Sequence, residues 1–240
     1  MRFHISKNIR LLSLDAMDTL IALKEPPGTT YARFAKKFGI AADPDVLNSR
    51  FPAVFKEVDQ RHPCYGFNSF GATQWWFEVI KKCFGEDYHF KDEAVAEEMC
   101  YSLFDYYGTK EPWRLLELDA FKQLDRLRSN GLSVSITSNF DARLRSVLLE
   151  FGILNHVDFI ALSGEIGFAK PDPKIFECLL EFFNIESPNQ ILHVGDSLTK
   201  DVEGAANFGA VTCLYRPKDS VKFEGKVPVI STLGDLDFEE

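Results

Sequence analysis

The chain has 240 residues, 45% hydrophobic and 26% charged, with 27 Lys plus Arg against 36 Asp plus Glu and a formal net charge of -9. This is too apolar for a disordered chain, and at this length roughly 70–75% of the unfolded surface is buried on folding, so no metal or disulfide staple is needed. The acidic balance argues against nonspecific nucleic-acid binding, which needs a condensed positive face, and no stretch reaches the roughly 18 unbroken apolar residues of a membrane span.

Residues 1–10 (MRFHISKNIR) carry no apolar h-region and no small-residue cleavage pattern, so no signal peptide is expected. Residues 9–14 (IRLLSL) form a short apolar run that ends abruptly at Asp15 and reads as a buried parallel strand. From about residue 25 to 107 the pattern is helical, with pieces at 30–38, 44–60, 72–84 and 93–106 and no alternating strand. After it, helix-like segments at 119–129, 142–151, 173–183 and 200–208 interleave with apolar runs at 132–137, 157–162, 190–194 and 210–214. This alternation predicts an α/β fold: a Rossmann-like parallel sheet with helices on both faces. The helical stretch after the first strand reads as an inserted cap, which gives a core of residues 1–22 and 110–240 and a cap of residues 23–109. The five cysteines (Cys64, Cys83, Cys100, Cys178 and Cys213) are odd in number and form no CxxC pair, so the expected setting is reduced: soluble, intracellular and cytoplasmic.

Polar residues cluster just past the predicted strands: Asp15, Ser138-Asn139, Asp196 and, further from its strand, Lys170 in GFAKPDP. Loops after parallel strands converge on one edge of the sheet, so two carboxylates, a hydroxyl and a lysine meet there. Asp15 and Asp196 can share a hard divalent cation such as Mg²⁺, and Lys170 and Ser138 can hold phosphoryl oxygens while Asp15 attacks. Each part also has a plainer reading: Asp15 as a helix N-cap, Lys170 as a solvated lysine before a Pro-rich turn, and Gly195-Asp196-Ser197 as the start of a helix.

Four segments together resemble the haloacid dehalogenase superfamily of hydrolases: LLSLDAMDTL (11–20), SITSNFD (135–141), GFAKPDPKIF (167–176) and HVGDSLTKDVEGA (193–205). The resemblance implies a Rossmann-like core with a helical cap inserted between the first and second segments. It also implies Asp15 as nucleophile, Ser138 and Lys170 as phosphoryl contacts, and Mg²⁺ held by Asp15, the backbone carbonyl of Met17, and Asp196, with Asp201 close to the metal waters. Phosphatases of the family carry a second Asp two residues after the nucleophile, and here that position is Met17. A thioether moves no proton, and a positioned acid or base contributes about 10²–10⁴ in rate.

The expectation from sequence is therefore a phosphatase-type site with impaired acid/base machinery and weak, specialised or absent hydrolysis of a small anionic or phosphorylated molecule. Read as an extended segment, Asp18 points away from Asp15 and does not replace the missing acid. Two alternatives accompany this reading: metal-free halide displacement from a 2-haloacid, which needs no proton, and a non-catalytic metal- or phosphate-binding interaction protein. His4, His62, His89, His156 and His193 show no ligand spacing and are expected in structural roles, His193 buried within its strand. Of Trp75 and Trp76, adjacent on one helix, one is expected to pack the cap core.

Overall fold

The computed structural model describes residues 2–85, 92–217 and 225–239 of the chain; His89 lies outside them. Ten strands occur in chain order: β1 (Phe3–Ile5), β2 (Leu11–Leu14), β3 (Ile21–Leu23), β4 (Trp113–Leu115), β5 (Ser133–Ser138), β6 (Phe159–Leu162), β7 (Ile191–Gly195), β8 (Val211–Tyr215), β9 (Val229–Ile230) and β10 (Leu236–Phe238). The residues divide into two compact units: Met1–Ala22, Leu115–Asn139 and Phe151–Glu240 in one, and Leu23–Arg114 with Phe140–Glu150 in the other. The first is an α/β unit and the second is mainly α-helical.

The first unit is built on a parallel six-stranded sheet in the order β6-β5-β2-β7-β8-β9. Its central strands read as unbroken apolar runs because both faces are covered. Leu11, Leu12, Leu14, Val134, Ile136, Ile191, Leu192 and Val194 are all fully buried. Each such side chain contributes about 1.5–3 kcal/mol on burial, which makes these strands a rigid support. Connectivity reverses at β2: the chain builds outward through β5 and β6 on one side and through β7, β8 and β9 on the other. Ligands of open α/β sheets bind at such a reversal, beyond the carboxyl ends of the strands.

Helices Ala120–Ser129 and Lys174–Phe183 fall where the apolar pattern places them. The segment expected as one helix over 200–208 is a wide π-helical turn, Leu198–Glu203, followed by a short helix, Gly204–Phe208. π-turns favour functional positions because they displace one residue from the regular ladder, and here the displaced turn contains Asp201. At the far edge Glu117 is buried, accepting bonds from the Leu233 amide (2.9 and 3.0 Å) and the Tyr215 hydroxyl (2.8 Å). It fastens the segment that carries β10 back to β1, where Phe3 pairs with Leu236.

The second unit contains helices Pro27–Lys37, Pro44–Arg61, Gly71–Phe84 and Glu93–Tyr107. Asp43 caps the second through the Asp45 amide (2.9 Å) with Pro44 at its first position, and Asp92 caps the fourth through the Ala94 amide (2.9 Å). Trp75 is fully buried in the core of this unit, its indole N–H donating to the His62 carbonyl (2.8 Å). Trp76 is half-buried, packs against the same core and donates to Asp141 Oδ2 (2.7 Å). Asp141 also receives two guanidinium bonds from Arg143 (2.9 and 2.7 Å), whose remaining nitrogen donates to the Phe104 carbonyl (3.0 Å), so the Trp76 and Phe104 bonds hold the segment after β5 to these helices.

Burial raises Glu117 above the ordinary carboxylate range, with the Leu233 and Tyr215 bonds opposing. A carboxyl with a raised folded value contributes stability below its unfolded value and loses it as pH rises through the folded one. Thermal melts at a series of pH values above about 4.5 should therefore show Tm falling for the parent and falling less for E117Q; parallel slopes would contradict this account.

Candidate active site

Every group of the candidate site belongs to the first unit, and all but Lys170 follow or end a central strand. Asp15 follows β2, and its amide donates to the Val194 carbonyl (2.9 Å), which extends the ladder by one residue and fixes where its side chain starts. Ser138 ends β5, and Gly195-Asp196 closes β7. Lys170 arrives on the loop before helix Lys174–Phe183 and is clasped by Asn139. The Asn139 side-chain amide donates to the Lys170 carbonyl (2.8 Å), and the Lys170 amide donates to Asn139 Oδ1 (2.7 Å). Gly204 lets this loop approach closely: a Cβ there would stand 2.8 Å from Pro171 Cα.

The Lys170 ammonium is buried and donates three bonds of 2.7 Å, to Asp15 Oδ1, Asp201 Oδ1 and the Thr137 carbonyl. Those bonds use all three of its protons. Asp201, 2% exposed, takes the Ser197 amide on Oδ2 (2.9 Å) and His193 Nε2 on Oδ1 (3.1 Å). Asp201 packs so tightly against Gly195 that a Cβ at 195 would overlap its carboxylate. Behind these groups Ser13 Oγ lies 2.9 Å from both Thr137 Oγ1 and His193 Nδ1.

The electrostatics follow from burial. Burial and the neighbouring Asp201 charge raise Asp15 above the ordinary carboxylate value, with the Lys170 ammonium opposing. Asp201 goes the other way: against the effect of burial, Lys170 and His193 hold it well below the ordinary range. Lys170 stays charged because Asp15 and Asp201 outweigh the burial that would lower it. Burial lowers His193, favouring its neutral form, although the Asp201 bond opposes. Asp196 is pushed up to about 7 by burial and by the charges of Asp15, Asp201 and Asp18. The buried thiols of Cys83, Cys100 and Cys213 are pushed up to about 12, far from a nucleophilic thiolate at neutral pH.

Asp15, Asp196 and Asp201 each present a carboxylate oxygen within 4.8 Å of the others. Three carboxylates against one ammonium leave an excess of two negative charges in a buried place, and the donor set is oxygen only. Both properties fit a hard divalent cation. The Ser138 hydroxyl, 1% exposed, has no hydrogen-bond partner among the described residues, as expected of a donor kept for a ligand. Of the residues singled out in the sequence, Asp15, Lys170 and Asp201 are joined directly, Asp196 joins through the carboxylate cluster, and Ser138 follows Thr137 on β5. Met17 is half-buried and forms an isolated bridge with Ile21. The parts played by Asn139 and His193 were not legible in advance, because a clasp and a buried ring bond leave no spacing pattern.

Residues 9–209 match the family model described as haloacid dehalogenase-like hydrolase. The chain belongs to that family. It is 32% identical over 234 residues to haloacid dehalogenase-like hydrolase domain-containing protein 3 of Bos taurus, covering 94% of this chain and 92% of the relative. Among solved structures it resembles a HAD phosphatase from Thermococcus onnurineus (22% identical, TM-score 0.64, 95% of each chain). It resembles a 2-haloacid dehalogenase from Pseudomonas syringae pv. Tomato DC3000 equally in fold (18% identical, TM-score 0.64, 94% and 95%). Likeness at these identities establishes the fold alone, so the chemistry has to be read from the site.

The site corrects the expectation drawn from Met17. Activity was expected to be weak, specialised or absent because one side chain was missing and the acid/base machinery was impaired, but the Asp15, Asp196 and Asp201 cluster is intact on a hydrolase-family core. The physical reason lies in the backbone: Asp18 adopts a left-handed conformation (φ 56°), so residues 15–18 do not alternate as an extended strand does, and the Asp18 charge acts on Asp196. Metal-free halide displacement is disfavoured by the two further carboxylates beside Asp15, which repel a carboxylate substrate.

Gly195→Ala should destabilise the protein by about 1–3 kcal/mol in urea unfolding, since the added methyl must displace Asp201; an unchanged midpoint would refute the close fit. Asp196 supplies a pH test. Its folded value of about 7 lies above the unfolded 3.8, so in chelator stability should fall as pH rises towards 7. A cation takes only the carboxylate, so Mg²⁺ should raise Tm more at about pH 8 than at about pH 5.5; an equal shift at both would oppose the assignment.

Proposed function

We propose that this protein is a Mg²⁺-dependent phosphohydrolase acting on a small phosphorylated molecule, with Asp15 as the nucleophile. The observation that carries the reading is the buried three-carboxylate cluster bridged by Lys170. The fully reduced cysteines support an intracellular, cytoplasmic setting, and no helix among the described residues is long and apolar enough to cross a membrane.

In this reading Asp15, the Met17 backbone carbonyl, Asp196 and Asp201 hold the cation. Bound there, it supplies positive charge that screens the carboxylates from an incoming phosphate. Ser138 donates its free hydroxyl to a phosphoryl oxygen, and Lys170 places a positive charge beside the atom under attack. Asp15 forms a bond to phosphorus as the bond to the leaving oxygen breaks, and that oxygen takes up one proton from solvent. Water then attacks the aspartyl-phosphate, gives up one proton to solvent, and restores the carboxylate with release of phosphate. Lys170, held at its stem by Asn139, keeps Asp15 Oδ1 fixed through both steps, so Oδ2, which takes only the long Thr19 hydroxyl bond (3.5 Å), is the oxygen placed to attack.

The test is phosphate release from p-nitrophenyl phosphate. Hydrolysis should require Mg²⁺, stop with chelator, and drop about 10³-fold or more in D15N while the variant remains folded by circular dichroism. Turnover unaffected by chelator, or by Asp15→Asn, would reject the proposal.

A further inference from the structure

His193 has no part in the reaction described above, yet its ring is enclosed in the core beside the site. It is fully buried, its Nδ1 lies 2.9 Å from Ser13 Oγ, its Nε2 lies 3.1 Å from Asp201 Oδ1, and the Phe176 ring packs edge-on against it with centroids 5.0 Å apart. Ser13 and His193 are direct partners in the β2–β7 register, so the first bond follows from strand pairing.

The donor directions can be assigned from the ends of the chain of bonds. Asp201 accepts from the Lys170 ammonium and from the Ser197 amide, so it is an ionised acceptor, and His193 Nε2 must carry the proton between them. A neutral ring then leaves Nδ1 as an acceptor, which makes Ser13 O–H the donor and Thr137 O–H the donor to Ser13. The carbonyl of that same Thr137 accepts from Lys170, which closes a ring of bonds through Thr137, Ser13, His193, Asp201 and Lys170. All five residues are 3% exposed or less. In that ring the histidine is the only link that ties the Asp201 carboxylate to β2 and β5 other than through the lysine.

We infer that His193 is a positioning residue of the site: donating from Nε2 to Asp201, with its tautomer set by Ser13, it fixes the orientation in which Asp201 faces Lys170 and the cation. The inference rests on the proposed cation site. Lys170 on Oδ1 and the Ser197 amide on Oδ2 each hold one carboxylate oxygen, and the His193 donor adds a second bond on Oδ1 from β7 that fixes the plane of the carboxylate relative to the lysine. Partners of this kind that orient a metal-binding carboxylate are worth about 10–100-fold in metal affinity or activity.

The experiment titrates Mn²⁺, followed by the electron paramagnetic resonance of the free ion, into the parent, H193L, H193Q, H193N, S13A and D196N, and measures kcat and KM on p-nitrophenyl phosphate for each. A glutamine amide N–H reaches the place of Nε2, whereas an asparagine amide stops at the place of Nδ1. H193L and H193N should bind Mn²⁺ about 10–100-fold more weakly and lose kcat with little change in KM, H193Q should recover to within about threefold of the parent, and S13A should show a smaller loss in the same direction. Leucine and glutamine variants that bind alike, whether both as the parent or both impaired, would overturn the inference, since the hydrogen bond would then not be what matters. Should H193L fail to fold, H193Q against H193N and S13A decides on the same terms. Parent binding that D196N abolishes but the His193 variants leave unchanged sinks this inference alone; parent protein that binds no Mn²⁺ sinks the cation site and this inference with it.

Discussion

The arrangement depends on one buried ammonium. Removing Lys170 from water costs on the order of several kcal/mol, and the protein offsets this with two carboxylates and a carbonyl, each 2.7 Å from Nζ. The same contacts make Asp15 and Asp201 tolerable in the interior, so none of the three side chains can be explained without the others. Taking one partner from such a group leaves uncompensated charge worth about 3–5 kcal/mol. The surroundings then read as devices that deliver the lysine to its place: the Asn139 clasp fixes its backbone, and Gly204 makes room for the loop at Pro171.

The sheet supplies the other half of the constraint. Asp15 and Asp196 are more than 100 residues apart in sequence, yet they end neighbouring strands whose register is fixed residue by residue, Leu14 against Val194. A slip of one residue would exchange the side chains packed on the two covered faces and move Asp15 out of step with Asp196, so the packing of Leu11, Leu12, Leu14, Ile191, Leu192 and Val194 also positions the carboxylates. Stability of the core and geometry of the site are thus carried by the same contacts, and Gly195 shows how little room is left between them.

The sheet was readable where strands are apolar and doubly covered: residues 9–14 and 157–162 contain a strand of the sheet, and 132–137, 190–194 and 210–214 each fall one residue short of the end of theirs. The two- and three-residue strands β1, β3, β4, β9 and β10 were not, because so few residues show no periodicity. The carboxylates and the lysine were legible from residue type and position after strands. The turn at Asp18 was not: alternation holds only while the backbone is extended, and one left-handed residue changes which side chains face each other. The Lys200–Phe208 stretch reads as an ordinary helix by composition, whereas the π-turn that carries Asp201 goes with a long-range contact, that carboxylate against Gly195, which local composition does not encode.

The charge state of the cluster connects structure to chemistry. Without a cation, Asp196 is the carboxyl on which the repulsion falls, since Lys170 serves Asp15 and Asp201 and leaves Asp196 no ammonium of its own. A phosphate dianion entering this place would add to an existing negative excess, and in a low-dielectric interior that repulsion exceeds what one lysine and one serine hydroxyl offset. A divalent cation reverses the balance twice: it stabilises Asp196 as a carboxylate and turns the excess around Asp15 into a setting that admits an anion. Substrate binding, cation binding and deprotonation of Asp196 are therefore expressions of one electrostatic requirement. The fold meets it by placing three carboxylates and a single lysine at the point where its strand order reverses.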